Sequence, residues 1–121
     1  MKADRFEDLV IYRNARLLTG EIYEITNKEK FSRDYYLVNQ MRRSAVSIMS
    51  NIAEGFERNT DKEFAQFLFI AKGSSGELRA QMDVAFDQMY VETETYKIIS
   101  LNCERISGMI GNMIKYLKKN K

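Results

Sequence analysis

From Tyr96 to Leu117 the residues Tyr96, Ile99, Cys103, Ile106, Ile110, Met113 and Leu117 are separated by alternating gaps of three and four. An apolar seam of this period, held over three repeats, commits the segment to a helix that packs nearly parallel to its neighbours with a left-handed twist. The spacing recurs in Ile11, Ala15, Leu18, Ile22 and Ile25, and again in Leu37, Met41, Ala45, Ile48 and Ile52. Phe64, Phe67, Ala71, Ser74, Leu78, Met82, Ala85 and Met89 carry it a fourth time. No segment alternates with a period of two long enough for a strand, and no proline in the 121 residues interrupts a long helix. Four helices are predicted.

The gaps between the seams carry start and stop chemistry. Ser32 is positioned to cap a helix with Asp34 in its first turn, where a carboxylate favours the positive helix end. Gly55, followed by Glu57, Arg58 and Asn59, can end that helix. Thr60 and Glu63 have the spacing of a capping box, and Thr93 with Glu94 can open the last helix. The predicted helices span roughly residues 8–27, 32–57, 60–90 and 93–119, with ends uncertain by about 2–4 residues. Such short connections make successive helices antiparallel, giving an all-α, up-down-up-down, left-handed four-helix bundle in a single domain over residues 1–121. Gly73-Ser74-Ser75-Gly76 can be read as a loop, at a helix cost of about 2 kcal/mol for two glycines. The apolar phase nevertheless continues from Phe67 and Ala71 to Leu78 and Met82, which favours one unbroken helix with small residues that admit a close backbone.

Composition narrows the function. The chain has no histidine, so the commonest general base and metal ligand is missing, and Glu-x-x-His di-iron sites are excluded. One cysteine, Cys103, cannot form an intrachain disulfide, and its place on an apolar seam reads as a small hydrophobe. Met1-Lys2-Ala3-Asp4-Arg5 leads into no apolar run of a secretory signal, and the longest charge-free stretch, Ser44 to Ala53, is far short of a membrane span. The expectation is a cytoplasmic protein that is not an enzyme, uses no cofactor or metal and does not enter a membrane. With a net charge of only +2, bulk charge makes no case for nucleic acid.

Gln40, Ser44, Ser47, Asn51 and Glu54 form a polar stripe beside the apolar seam of the second helix. It reads chiefly as a structural seam, with polar groups satisfied across a close helix contact. Antiparallel pairing about a turn near residue 58 places Glu77 opposite Gln40 to Arg43, and Asn51 near Gln66. Glu77 is therefore expected to accept a hydrogen bond from Gln40 or Arg43, and Asn51 to be satisfied across the helix interface.

The same segment carries a resemblance. Phe6-x-Asp8-Leu9, Gln40-x-Arg42-Arg43-Ser44-Ala45-x-Ser47-Ile48, Asn51-Ile52-Ala53-Glu54-Gly55, Phe64 to Phe67, Ala71-x-Gly73-Ser74 and Glu77-Leu78 resemble the four-helix-bundle family of 23S rRNA intervening-sequence proteins. That family is also similar to the accessory protein of diversity-generating retroelements. The motifs span about residues 6–78, and the Asn-Ile-Ala-Glu-Gly run after an Arg-Arg pair is fairly specific. No proline precedes the second helix here, and Tyr12 stands where tryptophan is common. The resemblance implies a left-handed bundle, often assembled as a homopentameric ring, with no established catalysis. Members are linked to rRNA insertions, and the retroelement relative to a reverse transcriptase and nucleic acid.

Charge by segment adds a second pointer. Residues 93–121 carry six positive and two negative side chains, with Lys115, Lys118, Lys119 and Lys121 gathered at the end. They can form a phosphate-contacting patch, or they can simply complement the negative end of a helix. Arg42, Arg43, Lys115, Lys118 and Lys119 are the predicted nucleic-acid contacts. Many large apolar residues lie outside the seams, Leu9, Tyr35, Tyr36, Phe69, Ile70 and Ile98 among them, and they predict a homo-oligomer, favoured by the resemblance to be a pentameric ring. The functional expectation is an oligomeric helical scaffold or adaptor that binds RNA or DNA. Its alternative is a pure protein-interaction module docking a polymerase-like partner.

Overall fold

The computed structural model describes residues 3–119, which are all-helical with no strand among them. Lys121 and the first two residues lie outside this range. A 3-10 turn at Phe6–Asp8 leads into α1 (Val10–Thr26), the single-turn α2 (Glu29–Ser32), α3 (Tyr35–Phe56), α4 (Asp61–Asp87) and α5 (Thr93–Lys119). The four long helices are those of the four seams, and α2 is a fifth that the periodicity did not predict.

The extra turn corrects the expected cap. Ser32 lies inside α2, where its hydroxyl donates to the Glu29 carbonyl at 2.8 Å. Asp34 caps α3 instead, its Oδ1 accepting the Leu37 N–H at 3.1 Å. Phe31 explains why the chain folds up before α3: its ring is fully buried, and a helical turn delivers it to the core. Thr60 caps α4 as predicted, while the Glu63 carboxylate reaches back to the Thr60 hydroxyl and not to its backbone N–H. Its Oγ1 accepts the Glu63 N–H at 3.1 Å and donates to the Glu63 carboxylate, also at 3.1 Å.

The helix α4 runs unbroken through Gly73-Ser74-Ser75-Gly76, as the apolar phase requires. Ser74 and Ser75 are the small residues that face inward there. Gly73 and Gly76 face outward, with nothing of this chain within 4 Å of where a Cβ would stand. The tight approach lies elsewhere, at Gly55. A Cβ there would meet the Phe67 Cβ at 2.8 Å and the Phe64 ring at 2.9 Å. Gly55 has no left-handed backbone and does not itself stop the helix, which continues to Phe56; it is glycine because α4 passes so close.

The seam residues of α1 and α3 are all buried, as are Phe64, Ala71, Ser74, Leu78, Met82 and Ala85 of α4 and Ile99, Cys103, Ile106, Ile110 and Leu117 of α5. Met89 leaves the pattern: it sits beyond α4 at φ 62°, exposed, where the chain turns toward α5. Polar links join the helices around this core. Thr19 Oγ1 of α1 donates to the Ala45 carbonyl of α3 at 3.2 Å, and the hydroxyls of Ser47 and Ser74 bond between α3 and α4 at 2.8 Å. Arg79 and Glu104 pair at 2.8 Å between α4 and α5, and Asn102 Nδ2 donates to Glu21 at 3.2 Å between α5 and α1. Among the described residues no helix is long and apolar enough to cross a membrane.

Candidate nucleic-acid interface

Arg42 is half-buried on α3 and leans onto the last turn of α1. Its Nε donates to Thr26 Oγ1 at 3.0 Å and its Nη2 to Asn27 Oδ1 at 3.1 Å, while the guanidinium lies 4.4 Å from the Tyr23 ring centre. Tyr23, Thr26 and Asn27 recur at helical spacing, so one face of α1 presents a ring, a hydroxyl and an amide to one guanidinium. Thr26 is fully buried and donates its own proton to the Ile22 carbonyl at 2.7 Å, which leaves its lone pairs for Arg42. Arg42 is thus a joint between α1 and α3 as well as a cation. Arg43, the next residue, is exposed, and among the described residues no hydrogen bond or ion pair engages it.

Both arginines line a shallow groove of about 540 Å³ together with Tyr23, Asn39, Val46, Ser47 and Ser50. No carboxylate belongs to its wall. Lys118 lies elsewhere, in a groove between α4 and α5, with its Nζ 5.0 Å over the Phe69 ring and Asp61 in the same wall. Lys115 and Lys119 are exposed near it on α5. Gly55 marks the level of this end of the molecule through its contact with Phe64 and Phe67, and Arg43 stands twelve residues before it on α3. At 1.5 Å per residue the offset is about 18 Å along the axis. The five predicted basic residues therefore form two separate groups, the arginines in one groove and the lysines near the end of α5, with Lys118 in another.

The predicted polar stripe is half internal. Ser44 is buried, while Gln40, Ser47 and Asn51 are half-buried. Among the described residues, Ser47 alone of the stripe bonds across a helix interface, to Ser74. Asn51 Nδ2 instead donates back along α3, to the Ser47 carbonyl at 2.8 Å and its hydroxyl at 3.0 Å. That corrects the expected satisfaction of Asn51 across the interface. Glu54 is exposed and holds Arg58, one turn on, at 3.0 Å. Glu77 corrects the other expectation: it is exposed, and among the described residues neither Gln40 nor Arg43 bonds to it. Antiparallel numbering gave its level along the helix, but the rotation of α4 turns its carboxylate to solvent.

Cys103 is almost fully buried, and that burial pushes its thiol from the ordinary 9.0 up to about 12. At neutral pH it is a protonated, inaccessible side chain. Among the described residues no three of the metal-ligating types come together. Sequence reasoning missed Tyr23, Thr26, Asn27 and Asn39. The repeat of Tyr23, Thr26 and Asn27 was visible, but Arg42 as its partner depends on how α1 and α3 sit against each other.

Fold and site together define an all-helical protein with a groove holding two arginines and a separate cluster of lysines on its outside. The chain belongs to the 23S rRNA-intervening sequence protein family, whose model matches residues 7–112. It is also similar to a crystal structure of a protein of unknown function from the S23 ribosomal protein family of Bacteroides thetaiotaomicron VPI-5482. That match has a TM-score of 0.81 at 22% identity and covers 88% of this chain and 99% of the other. No curated protein matches the chain.

Proposed function

We propose that this protein is a non-enzymatic, oligomeric scaffold or adaptor of the cytoplasm that binds RNA or DNA. It is built as one domain over residues 1–121, an antiparallel up-down-up-down left-handed four-helix bundle. The observation that carries the reading is the groove of Arg42 and Arg43, two cations with no carboxylate in the wall. Two adjacent guanidiniums with no carboxylate beside them make a local positive potential, and their N–H groups suit the oxygens of a phosphate.

The topology is supported by pairs such as Ser47 with Ser74 and Gly55 with Phe67, in which one number rises as the other falls. Left-handedness rests on the three-four spacing of the seams. Assembly is supported by exposed apolar side chains, Val10, Leu17, Phe69 and Ile70 among them, with Leu17 at 70%. A homopentameric ring is the form that the family resemblance favours. The absence of enzymatic activity is supported by the buried, protonated thiol of Cys103. A second reading, a protein-docking module for a polymerase-like partner, draws on the same exposed Phe69 and Ile70.

Retention on immobilised RNA across a salt series tests the main reading. Binding that weakens linearly in log salt is expected, because each phosphate contact releases counterions. Reversing Lys115, Lys118 and Lys119 to glutamate should weaken it and flatten the slope. Salt-independent retention, or none at low salt, would leave the docking module as the better account. Light scattering tests the assembly: a mass near 14 kDa at every concentration would refute it.

A further inference from the structure

The groove between α1 and α3 differs in kind from the lysine cluster. Lys115, Lys118 and Lys119 stand on the last turns of a helix, where cations complement the dipole whether or not anything binds. Arg42 and Arg43 are near the middle of α3, and although Arg42 also complements the C-terminal end of α1, Arg43 makes no bond to a helix end. One of them is fixed and the other is free. Arg42 is held in place by Thr26 and Asn27, which engage two of the five N–H groups of its guanidinium and leave the remainder to point elsewhere. Arg43 has no partner among the described residues and can swing over the groove.

The wall supplies what a nucleotide needs besides charge. Tyr23 is 41% exposed and the Arg42 guanidinium carbon lies 4.4 Å from its ring centre, a cation–π pair at the edge of the groove. Nucleobases stack on both kinds of surface. Asn39 adds an exposed amide able to donate to phosphate or read a base edge, and Ser50 an exposed hydroxyl whose long 3.4 Å bond to the Ser47 carbonyl can be exchanged for one to a ligand. A duplex keeps its bases stacked inside and offers none to such a platform, whereas a single strand does.

We propose that the groove lined by Tyr23, Asn39, Arg42, Arg43 and Ser50 is a binding site for single-stranded nucleic acid, with a backbone phosphate on the two arginines and an adjacent base against the Tyr23–Arg42 pair. This rests on the nucleic-acid reading above and locates its specific part. The lysines of α5 contribute long-range attraction only, and Arg43 rather than Arg42 is the group to remove, because Arg42 also joins two helices.

The test uses fluorescence anisotropy of a labelled single-stranded RNA 12-mer, with the same sequence as a duplex for comparison. Arg43→Ala should bind the single strand more weakly, with a salt slope smaller by about 0.7, the value of one single-strand phosphate contact. Tyr23→Leu should weaken it about fivefold or more, the effect of losing one stacked base. The duplex should bind less well than the single strand and respond little to Tyr23→Leu. Unchanged melting of Arg43→Ala by circular dichroism is the fold control, since that side chain holds nothing in place.

If both variants bind like the wild type while reversal of the three lysines abolishes binding, the groove assignment is overturned and nucleic-acid binding survives. If the wild type binds no strand even at low salt, both fail together. Displacement of the RNA by inorganic phosphate at equal phosphate concentration would make the site a receptor for the free ion and overturn the nucleic-acid ligand. Equal affinity for the duplex would overturn the role of the Tyr23 platform.

Discussion

Replacing Gly55 by alanine tests the close approach of α4 to α3. The added methyl would stand 2.8 Å from the Phe67 Cβ, 2.9 Å from the Phe64 ring and 3.2 Å from the Phe64 carbonyl oxygen. The ring could tilt away, but Phe67 Cβ and the carbonyl are fixed to the α4 backbone. Relief therefore requires α3 and α4 to separate by several tenths of an ångström along a well-packed seam. Overpacking of this kind costs about 1–3 kcal/mol. Against it stands a gain of at most about 1 kcal/mol, because alanine is the better helix former. The expected net loss is about 1–2 kcal/mol, or roughly 4–8 °C in Tm for a domain of this size. Gly73→Ala and Gly76→Ala are the internal controls, since both sites face open space inside the same helix. Each should stabilise by about 0.5–1 kcal/mol. Thermal melts followed by far-ultraviolet circular dichroism, with all three variants side by side, read the signs directly. Gly55→Ala melting at or above the wild type would refute the claim that α4 passes too close for a side chain.

Other perturbations have equally definite outcomes. Thr26→Val keeps the shape of a fully buried side chain but takes the acceptor from Arg42, and should cost about 1–2 kcal/mol in denaturant unfolding. Thr60→Ala removes the cap of α4 and should cost about 1 kcal/mol by the same measurement. The Cys103 thiol, pushed up to about 12 by burial, should resist alkylation at pH 8 in the folded protein and react on unfolding. Because its folded pKa lies above its unfolded one, the unfolded state loses this proton first. Stability from Cys103 should therefore be intact below about pH 9 and decline as pH rises toward 12, an effect that Cys103→Ala removes.

The apolar spacing carried the four long helices because burial and helical period are one-dimensional facts, readable residue by residue. It also carried α4 through two glycines, since Leu78 and Met82 kept the phase of Phe67 and Ala71. What it could not carry was rotation and local competition. Ser32 and Asp34 are both capping residues, and burial of Phe31 in an added turn decided between them. Glu77 was placed at the right level by antiparallel numbering, yet which way a carboxylate faces depends on the angle of the helix about its own axis. The Arg-Arg pair was visible as a motif, while the division of labour between its members was not. Arg42 found Thr26 and Asn27 through the seating of α1 on α3, while Arg43, one residue on, lines the same groove with no hydrogen-bonding partner among the described residues.

Asp34 serves two partners that are distant in sequence. One carboxylate oxygen caps α3, and the other accepts the Tyr90 hydroxyl at 2.9 Å from the far side of the α4–α5 turn. Tyr90 also stacks on Phe31, with ring centres 4.9 Å apart, so α2, the start of α3 and that turn are fastened at one point. Closing this contact encloses the whole of α3 and α4, which is an entropic demand that neither local turn faces alone. If this long-range tie closes after the two helices have paired, Tyr90→Phe should speed unfolding more than it slows folding in stopped-flow measurements. Its contribution would then fall on the barrier to unfolding rather than on the rate of folding, making this corner a latch on the lifetime of the native state.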